Sequence, residues 1–239
     1  GVKGHPYEQG FDLRLVPEKL AEPLSWKKPR RVFVNSMSDL FQDGVSDTFI
    51  LDVFLTMEKC PKHTFQVLTK RANRMRDVVQ WLGRKWADAG DRWPLPNVWL
   101  GVSVENQHFA DERIPLLQQT PAAMRFVSLE PLLEDVRIVP YLGYGVDLVT
   151  RQQNTRKPLD WVIVGGESGH GARPFHVDWA RSIVEQCQAN KVPLFVKQLG
   201  ANVTTTWQSD MPFSSHKGSD MSEWPADLRV REFPRGDRQ

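Results

Sequence analysis

Six apolar runs in this sequence give way, at the same end, to residues that hydrogen-bond or carry charge. Asn35, Ser36, Ser38 and Asp39 follow the first run, and Thr69, Lys70 and Arg71 follow the second. Ser103 and Glu105 close the third, Ser128 and Glu130 the fourth. Gly165, Gly166, Glu167 and Ser168 follow the fifth, and Lys197 and Gln198 the sixth. Carboxylates placed this way can hold an ammonium or hydroxyl groups, while lysines can steady a carboxylate, a phosphate or a proton transfer. Crowding Glu105, Glu130, Glu167, Lys70 and Lys197 onto converging edges is costly without a ligand or mutual pairing. We therefore take Glu130, Glu167, Lys70 and Lys197 as candidate catalytic residues. Asn35, Ser36, Ser103, Glu105, Gly165 and Gly166 are candidate cofactor-binding residues, and no residue is assigned to a metal. The opposite ends of the runs are less uniform: Lys28-Pro29-Arg30-Arg31, Lys62-His63, Leu95-Pro96-Asn97 and Leu159-Asp160.

Gly165-Gly166-Glu167-Ser168-Gly169 is the sharpest local feature. Its glycines permit close backbone approach, and successive amides can cradle an anionic or polar group. A nucleophile elbow around Ser168 needs glycine at 170, which is His170. A phosphate loop starting at Gly166 reaches Gly171 but continues Ala172-Arg173 where Lys-Ser/Thr is required. Tight turn and binding loop both remain open. His170 and His176 have no neighbouring cysteine or carboxylate pattern that makes a metal set. Trp26 neighbours Lys27, Lys28, Arg30 and Arg31, a basic aromatic cluster suited to phosphate and equally to a solvated strand beginning. Trp99, Trp161 and Trp179 read as core, whereas Trp81, Trp86, Trp93, Trp207 and Trp224 are freer.

The elements that must position these groups follow from the pattern. The runs 32–35, 65–69, 98–104, 124–128, 161–164 and 194–197 are short and bounded by polar, Gly or Pro residues, as strands covered on both faces are. They recur at intervals of roughly thirty residues, room for a strand, a helix and two loops. Ser46 can N-cap a helix carrying Phe49, Ile50, Val53, Phe54 and Met57 on one face, and Cys60-Pro61 ends it. Met75, Val78, Val79 and Leu82 form a second stripe. Trp179, Ile183, Val184 and Cys187 form another after Asp178 as cap. Ala110, Ile114 and Leu117 suggest a shorter helix disturbed at Pro115. This alternation predicts an α/β fold, a partial TIM-like (β/α) barrel with six mostly parallel strands; an open doubly wound sheet is the second choice. Residues 1–200 form the barrel core, and 201–239 a polar extension that packs back on it through Trp224-Pro225 and Leu228-Arg229-Val230.

Composition sets the outer limits. The 239 residues are 40% hydrophobic and 25% charged, which excludes disorder throughout. With 31 Lys and Arg against 29 Asp and Glu, the net charge is +2, unlike a histone-like binder. No apolar stretch has the length of a membrane helix. Two cysteines, Cys60 and Cys187, make neither a disulfide framework nor a zinc spacing, which fits a reducing cytoplasm.

Longer phrases carry a family resemblance. Gly4-His5-Pro6-Tyr7-Glu8, Phe33-Val34-Asn35-Ser36-Met37-Ser38-Asp39-Leu40-Phe41 and Gln66-Val67-Leu68-Thr69-Lys70-Arg71 resemble a phage-associated family of uncharacterised three-cysteine-motif proteins. Trp99-Leu100-Gly101-Val102-Ser103-Val104-Glu105, Ser128-Leu129-Glu130-Pro131, Val162-Ile163-Val164-Gly165-Gly166-Glu167-Ser168-Gly169, Phe195-Val196-Lys197-Gln198 and Glu223-Trp224-Pro225 match as well. The resemblance implies a relative of radical S-adenosylmethionine enzymes on a partial TIM-like barrel. It implies a [4Fe–4S] cluster and S-adenosylmethionine in intact members, and a radical that abstracts hydrogen from an unknown substrate. Cluster ligation needs a set of cysteine thiolates, and Cys60 and Cys187 are not in such a motif. The expectation is an N-terminally truncated chain that by itself does not reduce the cofactor, with a natural cluster-free paralogue as the alternative. Gly165-Gly166-Glu167 resembles the Gly-Gly-Glu of radical enzymes, but follows a late strand instead of an early one. The rival function is a cluster-free module that binds nucleic acid or a separate partner protein through the Trp26 region and the polar tail. A metal-free hydrolase with paired carboxylates is a third possibility.

Overall fold

The computed structural model describes residues 12–35, 38–143, 158–205, 214 and 217–234. In chain order the principal elements are α1 (Glu22–Ser25), β1 (Arg31–Val34), α2 (Asp47–Glu58), β2 (Thr64–Thr69), α3 (Ala72–Ala89), β3 (Val98–Ser103), α4 (Gln107–Gln119) and β4 (Met124–Leu129). They continue with α5 (Val139–Leu142), β5 (Trp161–Gly165), β6 (Phe175–His176), α6 (Val177–Asn190), β7 (Leu194–Gln198) and β8 (Val203–Thr204). The main sheet has the order β1-β2-β3-β4-β5-β7, and every pairing is parallel. Each new strand joins the same side of its predecessor, so the twist accumulates in one direction and the sheet curls into a half-barrel with helices between the strands.

Strand alternation divides the apolar residues into two cores. Phe65, Val67, Leu100, Val102, Val127, Val162 and Val196 point outward to the helices, where Ile50, Phe54, Met75, Leu82, Ile114 and Ile183 meet them. Trp99, Phe126 and Trp161 point to the concave side, packed with Leu68, Met124, Ile163 and Phe195. β1 departs from the two-sided cover read from sequence: Phe33 is 44% exposed, because β1 is an edge strand with β2 as its one partner in the sheet. At the other edge the C-terminal segment lies beside β7, with Val196 N–H donating to Val230 O at 2.9 Å. Phe233 stacks on Trp161 at 5.5 Å and lies under the Arg31 guanidinium at 4.0 Å, so the tail reaches from β7 across the concave floor to β1.

The helices keep the apolar faces the sequence predicts, with several differences at their ends and in their partners. Ser46 caps α2 by accepting from Phe49 N–H at 3.2 Å. α6 begins earlier than Asp178: His176 occupies the cap position, and Asp178 stands in the first turn, paired to Arg181 at 2.9 Å. An acid there favours the N-terminal dipole without capping. α4 runs through Pro115 for 13 residues, held at its start by Asn106 Oδ1 accepting from Phe109 N–H. Burial of Ala110, Ile114 and Leu117 outweighs the hydrogen bond that proline forfeits. Trp86 and Trp224, read as freer, are 3% and 2% exposed, each with its indole N–H bonded, to Glu58 Oε1 and Gly218 O respectively. Among the described residues no helix is long and apolar enough to cross a membrane.

Candidate functional site

Because all six strands run the same way, their carboxyl ends share one rim, and there the charged groups pair from strand to strand. Asp39, after β1, accepts from Thr69 Oγ1 at 2.7 and 2.9 Å, from Phe41 N–H at 2.9 Å and from the Arg71 guanidinium at 3.0 Å. Its neighbour Asn35 ends β1 with φ 58°, a left-handed turn that asparagine tolerates. Ser36 lies outside the described residues.

Lys70, after β2, reaches Glu105, after β3, with Nζ against Oε1 as an ion pair without hydrogen-bond alignment. The second carboxylate oxygen of Glu105 accepts from Arg113 of α4 at 3.0 Å. Arg113 also donates to Ser103 O at 2.9 Å and stacks over Phe109 at 3.8 Å. Glu105 and Arg113 side chains are 7% and 8% exposed, so this is a buried pair with one exposed lysine attached.

Glu130, after β4, crosses β5 to Lys197 of β7, Oε1 to Nζ 3.0 Å, while Ser128 Oγ lies 3.2 Å from Oε2. The crossing explains the glycine beneath it: a Cβ on Gly165 would sit 3.0 Å from Glu130 Cγ and Oε1. Gly166 is tighter still. A Cβ there would lie 2.0 Å from Leu199 O, because the loops after β5 and β7 exchange backbone bonds at this point, Gly166 N–H to Gln198 O and Ala201 N–H to Glu167 O.

Glu167 turns to Arg173, which grips it through Nε at 2.8 Å, a second guanidinium nitrogen at 3.1 Å and its own backbone N–H at 3.0 Å. These hydrogen bonds favour the charged form and lower the Glu167 carboxyl to about 2. The guanidinium bonds to Glu167 raise the Arg173 pKa in turn, with a smaller contribution from the charge of Glu105.

A regularity runs through these pairs. Lys70, Lys197 and Arg173 are 57%, 55% and 54% exposed, whereas Glu105, Glu130 and Glu167 are 7%, 18% and 34% exposed. The acids are rooted and the cations face solvent. Of the residues named from sequence, Ser103, Glu105, Glu130, Glu167, Lys70, Lys197, Gly165, Gly166 and Asn35 all stand at this rim.

Arg113 and Arg173 are the members that sequence reasoning missed. Arg113 was detectable as a charge at the i+3 position of the Ala110, Ile114, Leu117 stripe, where a buried apolar residue belongs. Arg173 follows a glycine-rich loop with no periodicity to read.

Fold and rim together define a half-barrel α/β protein with a charged carboxyl edge. The chain belongs to a family described as a protein of unknown function (DUF5131), which matches residues 2–226. Comparison with curated proteins and with solved structures found no match in either set.

Proposed function

We propose that the chain is the barrel portion of an enzyme of the radical S-adenosylmethionine type, and that its carboxyl rim holds a small polar ligand, cofactor or substrate. The observation that carries the reading is the row of rooted acids and solvent-facing cations along the ends of consecutive strands. Ligands of parallel α/β folds bind at this edge, where loops converge. A zwitterionic amino-acid group matches such a row, its carboxylate meeting Lys197 or Lys70 and its ammonium meeting Glu130 or Glu105. The link to S-adenosylmethionine rests on the phrase resemblance, and a sulfonium amino acid fits these charges.

An iron–sulfur cluster does not fit the residues present. Cys60, in the connection after α2, and Cys187, on α6, are both buried, and burial pushes the Cys187 thiol up to about 12. Among the described residues no three His, Cys, Asp or Glu side chains are grouped to hold a metal. The role derived for this chain is therefore binding and orientation: Lys197 and Lys70 fix a carboxylate, and Glu130 and Glu105 fix the opposite charge.

Calorimetric titration of the chain with S-adenosylmethionine tests this. Saturable binding is expected, weakened at least about tenfold, or about 1.4 kcal/mol, by Glu130→Gln and by Lys197→Ala. Absence of saturation, or an affinity in either variant equal to that of the parent chain, defeats the proposal.

A further inference from the structure

The opposite rim, at the amino ends of the strands, carries charge of a different kind. Lys27, Lys28 and Arg30 precede β1, while Lys59 and Lys62 precede β2; all five are exposed. Three contacts bind the two stretches together. Arg30 N–H donates to His63 Nδ1 at 3.1 Å, Lys62 Nζ donates to Lys27 O at 3.4 Å, and Trp26 meets the His63 ring edge-on at 5.5 Å. The acid next along the chain, Glu58, is already engaged by the Trp86 indole N–H. Among the described residues, none of these five cations forms an ion pair. The Arg30 guanidinium lies over the Trp26 ring at 4.6 Å, a cation–π contact between two residues of the same basic stretch.

We infer that this amino rim is a docking surface for a single-stranded nucleic acid, independent of whatever the carboxyl rim binds. Five unpaired cations repel one another, and a polyanion relieves that repulsion while releasing its own counterions. Phosphates meet Lys27, Lys28, Lys59 and Lys62. The Arg30–Trp26 contact favours a single strand over a duplex, because unstacked bases lie on aromatic and guanidinium planes. The enzyme proposed above would then meet its nucleic acid on one rim and its small ligand on the other. Each half of that picture stands without the other.

Fluorescence anisotropy of a labelled mixed-sequence 20-nucleotide single-stranded DNA (a length of about 20 suits a patch with site sizes of 4–16 nucleotides) tests the surface on the full chain. Five neutralised phosphates give a log–log salt slope of about −3.5, a loss of about a hundredfold between roughly 50 and 200 mM salt. The variant Lys27→Ala/Lys28→Ala/Lys59→Ala/Lys62→Ala leaves Arg30 and Trp26 in place and is checked for folding by circular dichroism. Its slope should flatten to about −0.7, with at least about tenfold weaker binding at the lower salt. Single Lys28→Glu, which alters one position by two charge units, should weaken binding in the same direction. Three results overturn the inference: no binding at low salt, a loss produced by Lys70→Ala and Lys197→Ala instead, or tighter binding to duplex DNA or phosphatidylserine vesicles than to the single strand.

Discussion

The two rims of the sheet handle positive charge in opposite ways. At the carboxyl rim Lys70, Arg71, Arg173 and Lys197 each have an acid partner set deeper than themselves. At the amino rim Lys27, Lys28, Arg30, Lys59 and Lys62 have none among the described residues. Paired charge built on buried acids is part of the fold, because removing one partner strands the other out of water. Exposed unpaired charge is held loosely by solvent and salt, and contributes to what approaches the protein more than to how it folds. One rim should therefore break when altered, and the other should merely bind differently.

The largest effect is expected where backbone meets backbone. Gly166→Ala places a Cβ 2.0 Å from Leu199 O, and the two loops must part; a loss of about 4 kcal/mol in urea unfolding is expected. A stability within about 0.5 kcal/mol of the parent would show that the loop contact at the carboxyl rim yields easily. Next comes Arg113→Met, which leaves buried Glu105 with Lys70 alone. About 3 kcal/mol should be lost, visible as a lower urea midpoint at unchanged slope. A near-neutral result would make Lys70 sufficient partner and place this pair closer to the amino-rim kind.

Glu167 sharpens the comparison through pH. Its folded carboxyl is lowered to about 2 from 4.5, so its contribution is complete above about 4.5 and is lost as pH falls toward 2. Glu167→Gln should remove that part of the acid slope, measured as urea midpoints at several pH values in this window; an identical slope would disconnect the Arg173 grip from stability. The smallest effect is expected at the amino rim. Lys27→Ala, Lys28→Ala and Lys62→Ala should each change thermal stability by no more than about 0.5 kcal/mol, while altering salt-dependent DNA binding. A loss above 2 kcal/mol in any of them would erase the distinction between the rims.

Much of the fold was legible because the chain repeats a local code. Each outward strand face of Val, Leu and Phe and each helical stripe, such as Met75, Val78, Val79 and Leu82, announces its element within a dozen residues. The rim was legible for the same reason, since a parallel alternation fixes which end of every run points where. The partners were not. That Glu130 reaches Lys197, 67 positions away, depends on β4 and β7 flanking a β5 that carries glycine at the crossing. The depth of Trp86 was not legible either, because it depends on Glu58, 28 positions away, receiving its N–H.

Amino-acid order alone settled the strand–helix alternation, the apolar faces and the residue types at each strand end, because these follow from periodicities of two and 3.6 that need only near neighbours. Tertiary structure alone decided which charges neutralise each other and which stay bare. Coulomb attraction depends on distance in space and on depth from water, and a linear sequence specifies neither until the sheet has curled.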